Sequence, residues 1–219
     1  MTYRALATDF DGTIAHDGQV PPSTLDALGR LAAAGYKLLL VTGREAEDLF
    51  AIFPHGKLFD LMVLENGAML HNPHTGQTRL LAEGPPPAML EALKRRHVPF
   101  SAGRSIVATV EPFETAVLEV IRDLGLEWHV IFNKGSVMAL PSSINKAAGL
   151  TAALEELGLA PLEVVGVGDA ENDHAFLQMC GLSVAVANAL PALKETAQWT
   201  TQGARGAGVE ELIARLLAG

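Results

Sequence analysis

The stretch Ala5-Leu6-Ala7-Thr8-Asp9-Phe10-Asp11-Gly12-Thr13 runs a short apolar segment straight into two carboxylates one residue apart. The apolar part reads as a buried strand, and Asp9 and Asp11 stand where it stops. Burying charge costs free energy, so a strand end carrying such a pair needs a cation partner. A divalent metal would supply one, and would draw a phosphoryl group to the same place. Gly12 permits a sharp exit from the strand.

Working outward, apolar runs at residues 4–8, 36–42, 61–65, 162–167 and 182–187 are continuous rather than alternating. That pattern predicts strands buried on both faces, as in a parallel sheet. Helical spacing separates them. Ser23-Thr24-Leu25-Asp26 resembles a capping box, Leu25, Leu28 and Leu31 keep the period, and Gly35 ends the element. Further helices are marked by Leu49, Ile52 and Phe53, by Leu150, Leu154 and Leu157 before Gly158, and by Phe176, Leu177 and Cys180 before Gly181. Val209, Leu212, Ile213 and Leu216 mark a last one. This βαβ alternation predicts a Rossmann-like, doubly wound α/β sheet.

The middle of the chain breaks the rhythm. Residues 67–80 read as a hairpin, with Asn72-Pro73 and Thr75-Gly76 as turn signals. Gly84-Pro85-Pro86-Pro87 reads as a joint. A helix at 88–96, a strand at 106–110, a helix at 113–124 and a strand pair at 128–132 and 136–140 follow, and Pro141-Ser142-Ser143 returns the chain. The expected division is a core of residues 1–81 and 142–219 and an α+β unit of residues 82–141.

Composition bounds the function. The 219 residues are 49% hydrophobic, enough for a large core, and the net charge of −9 argues against nucleic acid as a partner. Cys180 is the single cysteine, so no internal disulfide forms and a reducing cytoplasm is expected. The N-terminal residues lack the apolar core of a signal peptide, and no apolar run is long enough to span a membrane.

Four signals fall where a parallel sheet gathers its ligands, beyond the carboxyl ends of its strands. They are Asp9 to Thr13, then Thr42-Gly43-Arg44 after a strand, then Lys146 at a helix start, then Gly168-Asp169-Ala170-Glu171-Asn172-Asp173. Each has a plainer reading. Asp-x-Asp-Gly suits a turn, Thr42 can cap the next helix, and Lys146 can be a solvated lysine. Asp169 to Asp173 can be an acidic helix start. A cation in a first helical turn opposes the helix dipole, however, and a bound anion would offset that cost.

These four stretches together resemble the haloacid dehalogenase (HAD) superfamily in its phosphatase branch. Asp9-Phe10-Asp11-Gly12-Thr13, Thr42-Gly43-Arg44, Lys146 and Gly168 to Asp173 match its four motifs in order. Glu65-Asn66-Gly67-Ala68 and Val186-Ala187-Asn188-Ala189 resemble further stretches of the Cof-like group. The family places an α/β cap between its second and third motifs, where the extra unit lies. The short cap is closer to archaeal phosphoglycolate phosphatases and sucrose-phosphatase-like enzymes than to the larger Cof proteins.

The resemblance implies a Mg²⁺-dependent phosphatase acting through an aspartyl-phosphate. Asp9 would be the nucleophile, and Asp11 the general acid and base. Thr42 and Lys146 would complete the catalytic set. Phe10, Gly43, Arg44 and Asn172 would bind substrate or phosphate. Asp9, Asp11 (through its backbone carbonyl), Asp169 and Asp173 would serve the metal, with Asp173 and Asn172 holding its waters or orienting Lys146. The expected partner is a small phosphate monoester, a sugar phosphate or a phosphoglycolate-like acid. A phosphosugar mutase on the same scaffold is the alternative.

Some residues stay open at this stage. Asp17-Gly18 predicts a small hairpin turn, with His16 at the surface. Arg44 reads equally as a phosphate contact or a surface charge. Arg104, His129 and Lys134 are the cap candidates for reading the far end of the substrate, and Trp128 and Phe132 are expected in the cap core. A receiver domain would place its phosphorylated Asp after the third strand, where this chain has Glu65-Asn66. A dinucleotide fold would need a third glycine where Glu171 stands.

Overall fold

The computed structural model describes residues 3–218. Strands β1 (Ala5–Thr8), β2 (Lys37–Val41) and β3 (Leu61–Leu64) alternate with helices α1 (Pro22–Ala33) and α2 (Ala46–Ile52). A hairpin of β4 (Met69–His71) and β5 (Thr78–Leu80) follows. Then come α3 (Pro87–Arg95), β6 (Ser101–Ala102), β7 (Val107–Val110), α4 (Glu114–Asp123), β8 (Trp128–Asn133) and β9 (Ser136–Pro141). The chain closes with α5 (Lys146–Leu157), β10 (Val164–Gly168), α6 (His174–Met179), β11 (Leu182–Ala185), α7 (Pro191–Thr196), β12 (Trp199–Thr200) and α8 (Gly206–Ala218).

The larger sheet has the order β12-β11-β10-β1-β2-β3-β4-β5. It is parallel from β12 to β3, and the hairpin adds two antiparallel strands at one edge. β1, β3 and β10 are buried along their whole lengths, as the continuous apolar runs predict. Both faces must then be covered. Two helix pairs, α1 with α8 and α5 with α6, supply much of that cover. The chain runs from β1 toward β2 on one side and returns through β10 on the other. The switch point therefore lies between β1 and β10, and their carboxyl ends carry Asp9 and Asp169.

The smaller sheet is antiparallel, in the order β6-β7-β9-β8. Its side chains alternate between two environments, as a pleated strand requires. Val107 and Ala139 join Met89, Leu93, Val117 and Val120 of α3 and α4 in one apolar cluster. Ile106, Met138 and Leu140 turn the other way and pack with Ala68 and Ile144.

Several local expectations need correction. No side chain caps α1: Pro21 is the N-cap and Pro22 opens the helix. Ser23 and Thr24 instead donate to Glu210 of α8, at 2.8 and 2.7 Å. The strand expected from residue 162 begins at Val164, because Pro161, Leu162 and Glu163 form a 3₁₀ turn with Leu162 exposed. β6 was not predicted, and a two-residue strand carries no readable period. Trp128 packs on the cap's apolar cluster, but Phe132 is exposed.

Candidate active site

Asp9 follows β1, Thr42 follows β2, Asp169 follows β10, and Lys146 is the first residue of α5. Lys146 reaches the centre because α5 approaches the sheet with almost no clearance. A Cβ on Gly149 would stand 2.4 Å from Val63 Cγ1 and 2.5 Å from Gly67 Cα. The Asn145 side chain caps the helix by accepting from Ala148 N–H at 2.9 Å. The Lys146 ammonium donates to Asp9 Oδ1 and to Asp173 Oδ1, both at 2.6 Å. Lys146 and Asp173 have almost no exposure, so the solvated-surface reading of Lys146 fails.

Asp173 has its lone pairs well occupied. Its Oδ2 accepts the N–H groups of Asp169 and Ala170 at 2.7 and 2.9 Å, and its Oδ1 takes Lys146. It braces the loop and holds the lysine, so direct ligation of a cation would have to displace one of these donors. Asp169 differs. Its Oδ2 accepts the Lys134 ammonium and, at 3.1 Å, Asn188 Nδ2. Its Oδ1 is buried and has no partner among the described residues. Gly12 lets this carboxylate approach. With φ at +82° and a Cβ position only 2.1 Å from Asp169 Oδ2, no side chain fits there.

Burial pushes Asp9 up to about 7, against the pull of Lys146 and with the push of Asp173 and Asp169. Burial likewise raises Asp169, partly offset by Lys134. Burial opposes the charge on Lys146, but Asp173 and Asp9 outweigh it and hold the ammonium above the usual lysine range. Asp9, Asp169 and Asp173 offer oxygen atoms within 4.8 Å of one another. A site with carboxylates held this far above their ordinary range, with one buried oxygen unpaired, is short of positive charge. An all-oxygen donor set suits a hard divalent cation such as Mg²⁺, and the residues present fit one.

Asp11 lies outside this cluster. Arg44 grips its carboxylate with Nε at 2.6 Å and with a second nitrogen at 2.9 Å, and also pairs with Asp48. Arg44 is thus neither a free phosphate contact nor an idle surface charge. Thr42 Oγ1 accepts Arg44 N–H at 3.2 Å and so caps the turn, while its hydroxyl hydrogen remains available to a ligand. The Phe10 ring is core, edge-on to Phe53 at 5.3 Å, so only its backbone can meet a substrate. Asn172 donates to Asn66 Oδ1 at 3.0 Å, which leaves Asn172 Oδ1 and Asn66 Nδ2 buried without partners among the described residues.

A cavity of about 550 Å³ separates this edge of the large sheet from the cap sheet. Asp9, Asp11, Thr42, Gly43 and Arg44 line its core side, and Ile106, Ala108, Asn133, Lys134 and Met138 are among its cap lining. Arg104 is turned elsewhere, onto Glu47. His129 bonds the Ile144 carbonyl at 2.9 Å, and His16 is exposed beside Asp17. Of the three cap candidates, only Lys134 reaches the cavity among the described residues.

Glu65 was not singled out from the sequence as a functional residue. It is fully buried, and its two carboxylate oxygens accept Arg104 N–H at 2.9 Å and Ser105 N–H at 2.8 Å. Its own N–H bonds Arg44 O, and that of Asn66 bonds Thr42 O, each at 3.0 Å. The turn at 65–66 therefore joins the Thr42 loop to the cap. Asn188 was missed as well, and it ties Gly12 O to Asp169 Oδ2. The only signals for these residues were the two short stretches that resemble the Cof-like group.

The chain matches the family model of haloacid dehalogenase-like hydrolases over residues 6–104 and 122–213. It is 32% identical over 223 residues to a phosphoglycolate phosphatase of Methanothermobacter thermautotrophicus, covering 98% of this chain and 99% of that one. Over 222 residues it is 28% identical to phosphoglycolate phosphatase 2 of Saccharolobus solfataricus, covering 98% and 92%. Among solved structures it resembles a haloacid dehalogenase-like hydrolase from Bacteroides thetaiotaomicron, with a TM-score of 0.80 at 20% identity, covering 98% of this chain and 100% of that one. At that identity the likeness speaks for the fold alone.

Proposed function

Because the chain belongs to the haloacid dehalogenase-like hydrolases, we propose that it is a Mg²⁺-dependent phosphatase of small phosphate monoesters, with residues 82–141 as its cap. The observation that carries this reading is the state of Asp9. Lys146 holds Oδ1, while Oδ2 accepts no hydrogen bond among the described residues, and the residue lines the cavity. A carboxylate fixed by one oxygen and free at the other is set to attack.

In the first step Asp9 Oδ2 bonds to phosphorus, the bond from phosphorus to the ester oxygen breaks, and the leaving oxygen takes a proton from Asp11. In the second, a water attacks the aspartyl-phosphate and gives its proton to Asp11. The bond from phosphorus to Asp9 breaks and inorganic phosphate leaves. Arg44 holds both Asp11 oxygens, so Asp11 exchanges one of those bonds for the leaving oxygen. Thr42 and the Gly43 amide receive phosphoryl oxygens, and Lys146 balances charge. Asp9 and Asp169 would hold Mg²⁺ with the Asp11 carbonyl, and the metal would supply charge neutralisation to the transferring group. Asp173 positions Lys146.

The cavity and the relatives support this substrate class. A space of about 550 Å³ takes a phosphoryl group and a small organic part, and the two archaeal relatives carry phosphoglycolate in their names. No helix among the described residues is long and apolar enough to cross a membrane. The buried Cys180 thiol fits our reading of a cytoplasmic enzyme. The test is phosphate release by purified protein with Mg²⁺ from phosphoglycolate, hexose phosphates, a phosphopeptide and an oligonucleotide end. We expect release from a small ester. No release from any, or preference for the peptide or oligonucleotide, would overturn the proposal. Isomerised hexose phosphate without free phosphate would mark a mutase.

A further inference from the structure

We propose that Lys134 selects the substrate: its ammonium receives a carboxylate placed within a few bonds of the phosphorus. This rests on the phosphatase reading above and adds the group that the cap recognises. Lys134 and Gly135 form the two-residue turn between β8 and β9, with φ of +48° and +85°. Such turns favour Asn or Gly at the first position, because a side chain there is strained. A lysine kept in that conformation points to a use for its side chain.

The side chain leads from the cap down into the site. Its Nζ would lie 3.0 Å from a Cβ on Gly12, and it bonds Asp169 Oδ2. Asp169 Oδ1 is the unpaired oxygen. A cation bound through Oδ1 therefore leaves the Lys134 bond to Oδ2 in place. An ammonium has three donors, and Asp169 uses one of them. The others are left to the cavity that Lys134 lines with Asp9 and Thr42.

The rest of the cap lining carries no charge. It consists of Ser101, Thr109, Asn133 and Ser136 with the apolar Ile106, Ala108 and Met138. The other cation at the cavity, Arg44, is occupied by Asp11 and Asp48. Among the described residues, Lys134, with one donor on Asp169, is thus the cation at the cavity with the most donors left for a substrate's second anion. Its closeness to Asp169 limits how far that anion stands from phosphorus. A two-carbon phospho-acid meets the limit, whereas an anion at the far end of a long ester would face neutral cap groups or the carboxylates of Glu45 and Asp48.

The experiment compares phosphoglycolate with 2-hydroxyethyl phosphate, which has nearly the same size and no carboxylate, at saturating Mg²⁺. Lys134→Met should lower kcat/KM for phosphoglycolate by about 10- to 100-fold, as expected for a lost charge-assisted hydrogen bond. The neutral ester should change by less than about 3-fold. Binding to the inactive Asp9→Asn protein, measured by calorimetry with and without Lys134→Met, should show the same contrast. An equal fall for both esters would mean that Lys134 serves the phosphoryl group or the metal, and would overturn the proposal. No fall for either would do the same. Failure of the wild-type protein to turn over either ester would instead count against the phosphatase reading.

Discussion

Replacing Asp9 by Asn should stabilise the metal-free protein, although it removes the nucleophile. Burial raises Asp9 from its ordinary 3.8 to about 7. The folded state therefore keeps a proton on Asp9 at pH values where the unfolded chain has lost it. The sign follows from linkage: the folded state is favoured fully below about pH 4, and the advantage is lost as pH rises through about 7. The gap between the two values corresponds to about 4 kcal/mol. That is an upper limit, since loops relax and water enters around an ionised group. Asn keeps the shape of protonated Asp and never ionises. In EDTA, urea denaturation at pH 8 should find Asp9→Asn more stable than wild type by about 1–4 kcal/mol, and at pH 4 nearly equal to it. Mg²⁺ at pH 8 should stabilise wild type more than the variant. Equal stabilities in EDTA at pH 8, or a difference that does not shrink toward pH 4, would refute the assignment of Asp9 as a charge awaiting a cation.

Three further outcomes follow from the same geometry. Gly12→Ala drives a Cβ into Asp169 Oδ2. It should abolish the Mg²⁺-dependent rise in Tm while the circular dichroism spectrum stays native, and a preserved rise would contradict the placement. Glu65→Ala strands the buried N–H of Ser105 and the part-buried N–H of Arg104, so urea denaturation should show a loss of about 1–3 kcal/mol, with Glu65→Gln recovering part of it. Ca²⁺, with its longer and looser coordination, should raise Tm as Mg²⁺ does yet suppress phosphate release; full turnover with Ca²⁺ would count against an in-line attack by Asp9.

The parallel sheet was legible because its strands are buried on both faces, which leaves an uninterrupted apolar run in the sequence. The carboxyl-end residues were legible because each follows such a run directly. What stayed hidden depends on contacts between distant segments. Ser23 and Thr24 look like a cap in their own context, and only α8 shows why they turn to Glu210. Glu65 reads as a polar residue after a strand, but its partners are amides 39 and 40 residues later. Arg104 and Lys134 were indistinguishable as cap cations. The difference is that Glu47 lies within reach of one and Asp169 within reach of the other.

The pairing of β1 with β10 has a consequence for the chain as it leaves the ribosome. Ala5 is registered against Val164, so the strand that carries Asp9 waits for a neighbour made very late in synthesis. Until then β1 offers β2 one edge and leaves the other bare, a template for wrong pairing. The cap is made in this interval, and it is a local unit whose sheet and helices neighbour one another in sequence. Lys146 and then Asp169 emerge only after it. The catalytic centre therefore cannot assemble before the cap is made, and it forms through contacts of high sequence separation, which fold slowly.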